Sequence, residues 1–266
     1  MVNIGADGAV IRTEAITKLF GKRNEIKAVD SLTLEVRRGE TFGLLGPNGS
    51  GKTTTIRMLN GIIRPTSGQA WVNGYDVRRQ TEGVKLSTGL LAETPGMYEK
   101  LSPREYLEFM GSLYDVPKEV LPRRIDQLLS LFKLGDRKDE LMEGYSKGMK
   151  QKVLIAAALV HDPPIIFLDE PTSALDPRAS LMVKDLIKDL SEKANKTMFV
   201  SSHILSLIEE VCDRIAIINQ GRLVALGTAT EIQEAANAND LEDAFMRLTG
   251  GVDQEELLAW RSSDGP

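Results

Sequence analysis

The length, composition and charge of the chain exclude several classes of protein. The 266 residues are 42% apolar, which is enough to bury a large core, and 33 basic and 38 acidic residues give a net charge of −5. A generic nucleic-acid-binding protein usually carries a basic excess, so this balance argues against one. The single cysteine, Cys212, excludes an intrachain disulfide and is expected to be a packed helix residue.

No segment of the chain is predicted to enter a membrane. The N-terminus has no apolar stretch of signal-peptide length. The longest apolar run covers residues 153–160, far below the roughly 20 residues that span a bilayer. We therefore expect a soluble chain, so that any membrane-spanning part of a complex must come from a partner.

The N-terminal part is predicted to combine an antiparallel ribbon with one buried strand. The segment SLTLEVRRGE (31–40) alternates apolar and polar residues, the pattern of a half-buried strand. TFGLLG (41–46) is a short apolar run ending in glycine, as expected for a buried strand that leads into a loop. In QAWVNGYDV (69–77), Asn73 and Gly74 are a strong signal for a tight hairpin turn.

The middle of the chain is predicted to be helical. In SPREYLEFMGSLY (102–114), Ser102 is a helix N-cap, Pro103 is the first helical residue and Glu105 completes a capping box. Two further helices are predicted within IDQLLSLFKL (125–134) and YSKGMKQKVLIAAALV (145–160). The second of these has lysines at 147, 150 and 152 in its first turns, where the helix dipole favours acidic residues. Either these lysines are solvated or an anion lies at that end.

From residue 164 onwards, strand and helix patterns alternate. IIFLDE (165–170), TMFVSS (197–202) and RIAIIN (214–219) are predicted strands. DPRASLMVKDLIKDLSEK (176–193), with Asp176 as its N-cap, and ILSLIEEVCDR (204–214) are predicted helices. This alternation indicates a parallel α/β sheet, which a helical insert at about 94–161 interrupts.

The segment GPNGSGKTT (46–54) fits the phosphate-loop pattern G-x-x-x-x-G-K-[ST] and lies between a predicted strand and a predicted helix. In such a loop, glycines let backbone N–H groups surround phosphate oxygens, Lys52 reaches the β- and γ-phosphates, and the Thr53 hydroxyl ligates Mg²⁺. A glycine-rich turn that binds nothing is the alternative. The flanking strand and helix favour the phosphate loop.

Two carboxylates and a histidine end the predicted strands. Asp169 and Glu170 follow four apolar residues, at the sheet edge where ligands gather in α/β proteins. By themselves they could simply cap a helix; with the phosphate loop, Asp169 is predicted to hold Mg²⁺ through water and Glu170 to polarise a water molecule. His203 follows the strand TMFVSS, and the residues alone leave open whether it faces the site or is a structural polar residue.

The segments GPNGSGKTT, YSKGMKQK, IIFLDEPTSALDP and VSSHIL occur in the order and spacing of the ATP-binding-cassette (ABC) ATPases, and the chain resembles that family over residues 10–227. The resemblance implies an α/β fold: a P-loop NTPase (RecA-like) core with an antiparallel β subdomain and an α-helical insert. The resemblance also implies an ATPase domain at 8–250, followed by a flexible tail (251–266). The domain would consist of a core with its β subdomain (8–93 and 162–227), a helical subdomain (94–161) and C-terminal helices (228–250).

In that family, two cassettes close head to tail around two ATP molecules, so the resemblance implies a homodimer. Glu170 would be the general base, His203 would contact the γ-phosphate, and Phe20 would stack on adenine, the alternative for Phe20 being a core phenylalanine. Asp176 would lie at the dimer interface. The remaining nucleotide-binding residues that the resemblance implies are Gly46, Pro47, Asn48, Gly49, Ser50, Gly51, Lys52, Thr53, Thr54, Ser146, Lys147 and Gly148.

The chain departs from the family pattern at two places. Glu93 aligns with a glutamine that follows the strand before the helical insert, and its carboxylate is still a good Mg²⁺ ligand, so Thr53, Glu93 and Asp169 are the implied metal ligands. The usual leucine-serine-glycine-glycine-glutamine signature is replaced by residues 145–149, YSKGM. Ser146 and Gly148 keep a hydroxyl and a close backbone approach at a helix N-terminus, which is a good anion site.

The variant signature resembles a branch of separate-chain ATPases that serve exporters of drugs, lipids, sodium or polysaccharide. This resemblance implies an ATPase whose ATP-driven closure powers transport, at the cytoplasmic face of the membrane, through a separate integral membrane permease. The alternatives are a non-transport ABC ATPase that acts on nucleic acid or ribosomes, and a small-molecule kinase. Repair-type cassettes carry a long coiled coil that this chain lacks room for, so no nucleic-acid partner is expected.

Overall fold

The computed structural model describes residues 8–93, 96–173 and 175–250. These residues form ten strands, nine α-helices and two short 3-10 helices. The strands are β1 (Ala9–Phe20), β2 (Ile26–Arg37), β3 (Thr41–Leu45), β4 (Ser67–Val72), β5 (Tyr75–Asp76), β6 (Thr88–Leu91), β7 (Ile165–Asp169), β8 (Thr197–Ser202), β9 (Arg214–Asn219) and β10 (Arg222–Gly227). The helices are α1 (Lys52–Leu59), α2 (Thr81–Ser87), α3 (Pro103–Leu113), α4 (Leu121–Leu131), α5 (Lys147–Leu159), α6 (Pro177–Glu192), α7 (Leu205–Val211), α8 (Ala229–Ala235) and α9 (Leu241–Thr249).

A six-stranded sheet in the order β10-β9-β3-β8-β7-β6 forms the centre of the fold. Strands β9, β3, β8, β7 and β6 are parallel, and β10 pairs antiparallel with β9 at one edge. Strands β3, β7 and β8 are buried along their whole length, which explains why they are apolar without alternation. The parallel α/β core predicted from the sequence is confirmed.

A second sheet, β2-β1-β4-β5, is antiparallel. In β2, Leu32, Leu34 and Val36 are buried while their neighbours are not, so the predicted half-buried strand is confirmed. Asn73 and Gly74 join β4 to β5 with φ values of 48° and 80°. Positive φ at both central residues is what a type I′ hairpin turn requires, and Asn-Gly is the preferred pair for it.

Helices α3, α4 and α5 lie between β6 and β7 along the chain. Ser102 and Glu105 form the predicted capping box at the start of α3, with Pro103 as its first residue. Cys212 was predicted inside a helix, but α7 ends at Val211 and Cys212 is its C-cap. Its side chain is packed as expected, and burial strongly raises the pKa of its thiol.

The central sheet separates two hydrophobic clusters. Leu45 belongs to a cluster with residues of α3 to α9, whereas the neighbouring Leu44 belongs to one with α1 and the antiparallel sheet. Because side chains alternate along a strand, β3 serves both clusters. The carboxyl ends of β3, β7 and β8 therefore meet at one edge of a sheet that is covered on both faces.

Within the part of the chain that the structure describes, no helix is both long and apolar enough to cross a bilayer. The predicted flexible tail, 251–266, lies outside the described residues. The division of the chain into core, helical subdomain and C-terminal helices stays a prediction, and its boundary at 94 also lies outside the described residues.

Candidate active site

The predicted phosphate loop connects β3 to α1, and two of its glycines are required by close approach. A Cβ on Gly46 would lie 2.4 Å from the Ile218 carbonyl oxygen and 2.5 Å from Ser50 Oγ. Gly51, the N-cap of α1, has a φ of 107°, and a Cβ there would lie 2.4 Å from the Ala28 carbonyl oxygen. No other residue fits these positions, so the glycines determine the path of the loop.

Lys52 folds back over this loop. Its Nζ donates to the carbonyl oxygens of Gly46, at 2.8 Å, and Pro47, at 3.3 Å. It also lies 3.4 Å from Glu170 Oε1, and both side chains of this ion pair are only 6% exposed. The structure thus brings together the predicted phosphate-binding lysine and the predicted general base, which are far apart in the sequence.

Glu170 lies just beyond the end of β7 in an unusual backbone conformation. Its φ is 51°, and its backbone N–H donates to the Ser201 carbonyl oxygen at 3.1 Å. A positive φ is uncommon for a residue other than glycine and is often found at functional sites. Here it turns the buried side chain towards the phosphate loop.

The two carboxylate oxygens of Glu170 have different surroundings. Oε2 accepts a hydrogen bond from Ser202 Oγ at 3.2 Å and lies 2.9 Å from His203 Nδ1. Oε1 faces Lys52 and has no hydrogen-bond partner among the residues that the structure describes. His203, whose role the sequence left open, is therefore next to the site and hydrogen-bonded to the predicted general base.

The predicted metal ligands lie near the same sheet edge. Asp169 is almost fully buried and accepts a hydrogen bond from Ser201 Oγ. Burial raises the pKa of the Asp169 carboxyl, and the hydrogen bond from Ser201 partly opposes that rise. The Thr53 hydroxyl donates to Glu93 Oε2 at 3.2 Å, so α1 and the segment after β6 are linked here.

These residues surround an open cleft of about 210 Å³. Its lining residues are Ala28, Asn48, Gly49, Gly51, Lys52, Thr53, Thr54, Glu93 and Glu170. Among the described residues, three buried side-chain polar atoms have no hydrogen-bond partner, and two of them, Ser50 Oγ and Glu170 Oε1, belong to this site. Unsatisfied buried polar atoms around a glycine-lined cleft that contains Lys52 fit an anionic, hydrogen-bonding ligand such as a nucleotide phosphate.

The chemistry of the site also fits Mg²⁺. Threonine and carboxylate oxygens from Thr53, Glu93 and Asp169 are the ligands that this ion prefers. The described residues contain no cluster of three or more histidine, cysteine or acidic side chains that could hold a metal ion unaided.

Other predicted site residues do not line the cleft. Phe20, at the end of β1, is 39% exposed, so it is not the core phenylalanine of the alternative interpretation, and Lys18 Nζ lies 5.1 Å from its ring centre. Asp176 is the N-cap of α6, as predicted, and accepts from the Ala179 backbone at 2.9 Å.

The variant signature lies at the N-terminus of α5. Ser146 is the N-cap and accepts from the Met149 backbone at 3.3 Å, and a Cβ on Gly148 would meet nothing closer than 3.6 Å. Lys150 pairs with Glu99 at 2.7 Å. Lys147 is exposed and forms no ion pair with any residue that the structure describes. Lys152 also forms no ion pair with a described residue, but it is partly buried, so Lys147 is the exposed and unpaired lysine of the three.

Sequence reasoning missed two residues of the site, Ser201 and Ser202. Both are fully buried at the end of β8, and each hydrogen-bonds one of the carboxylates of β7. The signal in the sequence was the pair of hydroxyls directly before His203, at the end of an apolar strand.

Comparison with known proteins decides the family. A protein-family model described as "ABC transporter" matches residues 29–173. The ABC transporter ATP-binding protein NatA of Bacillus subtilis is 36% identical over 243 residues, which cover 90% of this chain and 98% of NatA. The chain belongs to the ABC transporter family. It is the ATP-binding subunit of an ABC transporter and an ATPase, so the kinase and non-transport alternatives are set aside.

Two further comparisons agree with this assignment. The linearmycin resistance ATP-binding protein LnrL of Bacillus subtilis is 34% identical to this ABC ATPase over 254 residues, which cover 95% of this chain and 79% of LnrL. A solved structure described as the ATP-binding subunit of an ABC transporter superposes with a TM-score of 0.82 at 31% identity, covering 90% of this chain and 99% of that one. The P-loop NTPase fold predicted from the sequence is confirmed.

Proposed function

We propose that this ABC ATPase drives export through a separate integral membrane permease, at the cytoplasmic face of the membrane. Two observations support this proposal. A relative that covers nearly the whole chain is a resistance protein, LnrL. No helix in the described residues could span a bilayer, so the cargo pathway would belong to another chain.

The hydrolytic step is assigned to Glu170, and the observation that carries this assignment is the asymmetry of its carboxylate. Oε2 is engaged by Ser202 and His203, whereas Oε1 lies 3.4 Å from Lys52 Nζ and accepts no hydrogen bond from the residues that the structure describes. Oε1 takes a proton from water as the water oxygen bonds to the γ-phosphorus of ATP. The bond from that phosphorus to the bridging oxygen breaks, and ADP leaves with the electron pair.

The other site residues bind ATP and stabilise charge. Lys52 and the backbone N–H groups of residues 46–54 bind the phosphates, and His203 contacts the γ-phosphate while it orients Glu170. Phe20 stacks on adenine. Thr53, Glu93 and Asp169 hold Mg²⁺, which neutralises phosphate charge when it is bound.

A second copy of the chain completes the site. The cleft is lined by the phosphate loop and by the segments around Ala28, Glu93 and Glu170, and the signature residues are not among its lining. Ser146, Lys147 and Gly148 stand at an exposed or partly exposed helix N-terminus, which is an anion-binding feature. In a head-to-tail homodimer they contact the ATP held by the partner, with Asp176 at the interface.

The variant Glu170→Gln tests this function. It keeps the size of the side chain but cannot accept a proton, so we expect ATPase turnover to fall by about 10²–10⁴-fold while ATP still binds. Light scattering should then show an ATP-dependent dimer that persists. Glu192→Gln, an exposed position at the end of α6, is the control and should behave like the parent. Full turnover in Glu170→Gln would refute the general-base assignment.

The permease is tested by purification in a mild detergent. The tagged chain should co-purify with a multi-span membrane protein, and its ATPase rate should change when that protein is present. Activity that responds instead to ribosomes or DNA, without any membrane partner, would contradict the transport proposal.

A further inference from the structure

The end of β8 lies directly beside the end of β7, and the register places one serine at each carboxylate. Asp169 is paired with Ser201 across the two parallel strands. Successive side chains of a strand point to opposite faces, so Ser201 and Ser202 cannot both serve the same carboxylate. Ser201 bonds to Asp169 and Ser202 to Glu170, and both serines are 0% exposed.

The hydrogen bonds of Ser202 define where its proton points. Its Oγ accepts from the Ile204 backbone N–H at 2.9 Å, which occupies one lone pair. The hydroxyl hydrogen is therefore free to be donated, and Glu170 Oε2 is the acceptor at 3.2 Å. Because His203 Nδ1 contacts the same oxygen, two groups from the end of β8 hold Oε2. The end of β8 thus engages only Oε2 and turns Oε1 towards Lys52 and the phosphate loop.

Ser201 has the same relation to Asp169. Its Oγ donates to Asp169 Oδ1, and its other contact, to the Leu168 carbonyl oxygen, is at the outer limit of hydrogen bonding at 3.5 Å. The hydroxyl hydrogen is thus used by the carboxylate. One Asp169 oxygen is fixed on the strand, which fixes the orientation of the other.

We propose that Ser202 and Ser201 are positioning residues for ATP hydrolysis. Ser202 orients Glu170 so that Oε1 accepts the proton of water, and Ser201 orients Asp169 towards Mg²⁺. This inference rests on the roles proposed above for Glu170 and Asp169. Removal of a group that orients a catalytic or metal-binding side chain typically lowers activity or metal affinity by about 10–100-fold. Without that group, the side chain adopts several orientations, and only one of them is productive.

The Ser202 arm uses the variant Ser202→Ala. We expect kcat to fall by about 10–100-fold with KM for ATP and the affinity for a fluorescent ATP analogue unchanged, since Ser202 does not line the cleft. Ser202→Thr restores the hydroxyl and should recover much of kcat. A second variant, Ser202→Cys, keeps a small side chain with a weak hydrogen-bond donor, and its kcat should lie between those of Ser202→Ala and the parent. This variant keeps the test possible if the Ser202→Thr protein does not fold.

Thr197→Val is a matched control on the same strand. Thr197 is also buried, and its Oγ1 accepts a backbone N–H, that of Gly39, at 2.9 Å, but it lies at the opposite end of β8. Urea unfolding should show that Ser202→Ala and Thr197→Val are destabilised to a similar extent. Only Ser202→Ala should lose kcat. Equal kcat for the two variants would show that the role of Ser202 is structural and overturn the inference.

The role of Ser201 is tested by nucleotide binding, without measuring ATP hydrolysis. We expect Ser201→Ala to bind the ATP analogue normally in EDTA but to need about tenfold more Mg²⁺ for the Mg²⁺-dependent gain in affinity. An unchanged Mg²⁺ requirement would overturn the role of Ser201.

Failure of this inference is separable from failure of the proposed function. If Glu170→Gln is inactive while Ser202→Ala is fully active, only the positioning role is wrong, whereas full turnover in Glu170→Gln removes the basis of both.

Discussion

Lys52 Nζ and Glu170 Oε1 form a buried ion pair, 3.4 Å apart, that joins the phosphate loop to the end of β7. Burying a charge costs desolvation free energy, and the attraction between the two charges offsets this cost only when both side chains are present. Each side chain therefore depends on the other for its buried charge. The same two residues are proposed to bind the γ-phosphate and to activate water, so their pairing links the stability of the site to its chemistry.

We expect Lys52→Met to lower the free energy of unfolding, measured in urea without added nucleotide, by about 3 kcal/mol or more, because it leaves Glu170 buried without a counter-charge. Adding Glu170→Gln should recover part of this loss, since the second change removes the unpaired charge. The double-mutant cycle should thus be strongly non-additive.

The pair between Lys184 and Glu210 offers a control for this cycle. It joins α6 to α7, and its side chains are 21% and 40% exposed. Exposed pairs contribute about 0–1 kcal/mol, so Lys184→Met and Glu210→Gln should combine almost additively. Additive effects at Lys52 and Glu170 as well would show that the buried pair is not energetically coupled.

Glu93→Gln is expected to retain ATPase activity. The glutamine carbonyl oxygen can accept the hydrogen bond that Thr53 donates to Glu93 Oε2, and it remains an Mg²⁺ ligand. Glu93→Ala lacks that oxygen and should need about tenfold more Mg²⁺ for half-maximal turnover. The measurement is ATPase rate against Mg²⁺ concentration. A folded but inactive Glu93→Gln would show that the carboxylate charge has a specific role.

Local signals in the sequence were sufficient for much of this structure. The Asn73-Gly74 turn, the capping box at Ser102 and the glycines of the phosphate loop each depend on residues within a few positions of one another. Such features are determined by backbone conformations that few residue types can adopt. The strand pattern around these features then predicts the parallel sheet.

The contacts inside the site could not be predicted in this way. Ser201 and Ser202 meet the carboxylates of β7 across 32 residues of sequence, and the contact depends on the register between two parallel strands. A shift of β8 by one residue would move Ser201 and Ser202 each to the opposite face of the sheet and break both contacts. The sequence identified the ends of these strands, but their alignment is set by packing on both faces of the sheet.

Lys147→Ala is expected to weaken ATP-dependent dimerisation. If Lys147 contacts the γ-phosphate held by the partner, each dimer loses two such contacts. Because a hydrogen bond to a charged group contributes about 1.5 kcal/mol or more, the loss in dimer affinity is about 100-fold. Sedimentation of the Glu170→Gln background at two salt concentrations measures both the affinity and its salt dependence, which should decrease. Lys118→Ala, at an exposed position, is the control. An unchanged affinity and salt dependence would remove Lys147 from the site.

His161 connects the helix α3 region to the central sheet. Its ring stacks on that of Tyr114 with centres 3.7 Å apart, and Nε2 lies 3.0 Å from the Thr88 carbonyl oxygen. Nδ1 is buried, and none of the described residues forms a hydrogen bond with it. Since Nε2 must carry the proton to bond with a carbonyl oxygen, Nδ1 carries none in the neutral ring. Protonation would place a second N–H where no acceptor lies.

The folded protein is therefore expected to lose stability on acidification through His161. Burial lowers the pKa of His161 below its ordinary value of 6.5, and the positive charge of Arg124 acts in the same direction. Well above pH 6.5 both folded and unfolded chains hold a neutral ring, so the residue does not change the free energy of unfolding. As pH falls below that value, the unfolded chain takes up a proton that the folded chain resists, and the free energy of unfolding decreases.

His161→Gln retains a donor for the Thr88 carbonyl oxygen and does not titrate. Urea unfolding between pH 7.5 and 5 should show a steeper loss in the parent than in His161→Gln, and parallel curves would contradict the buried neutral histidine.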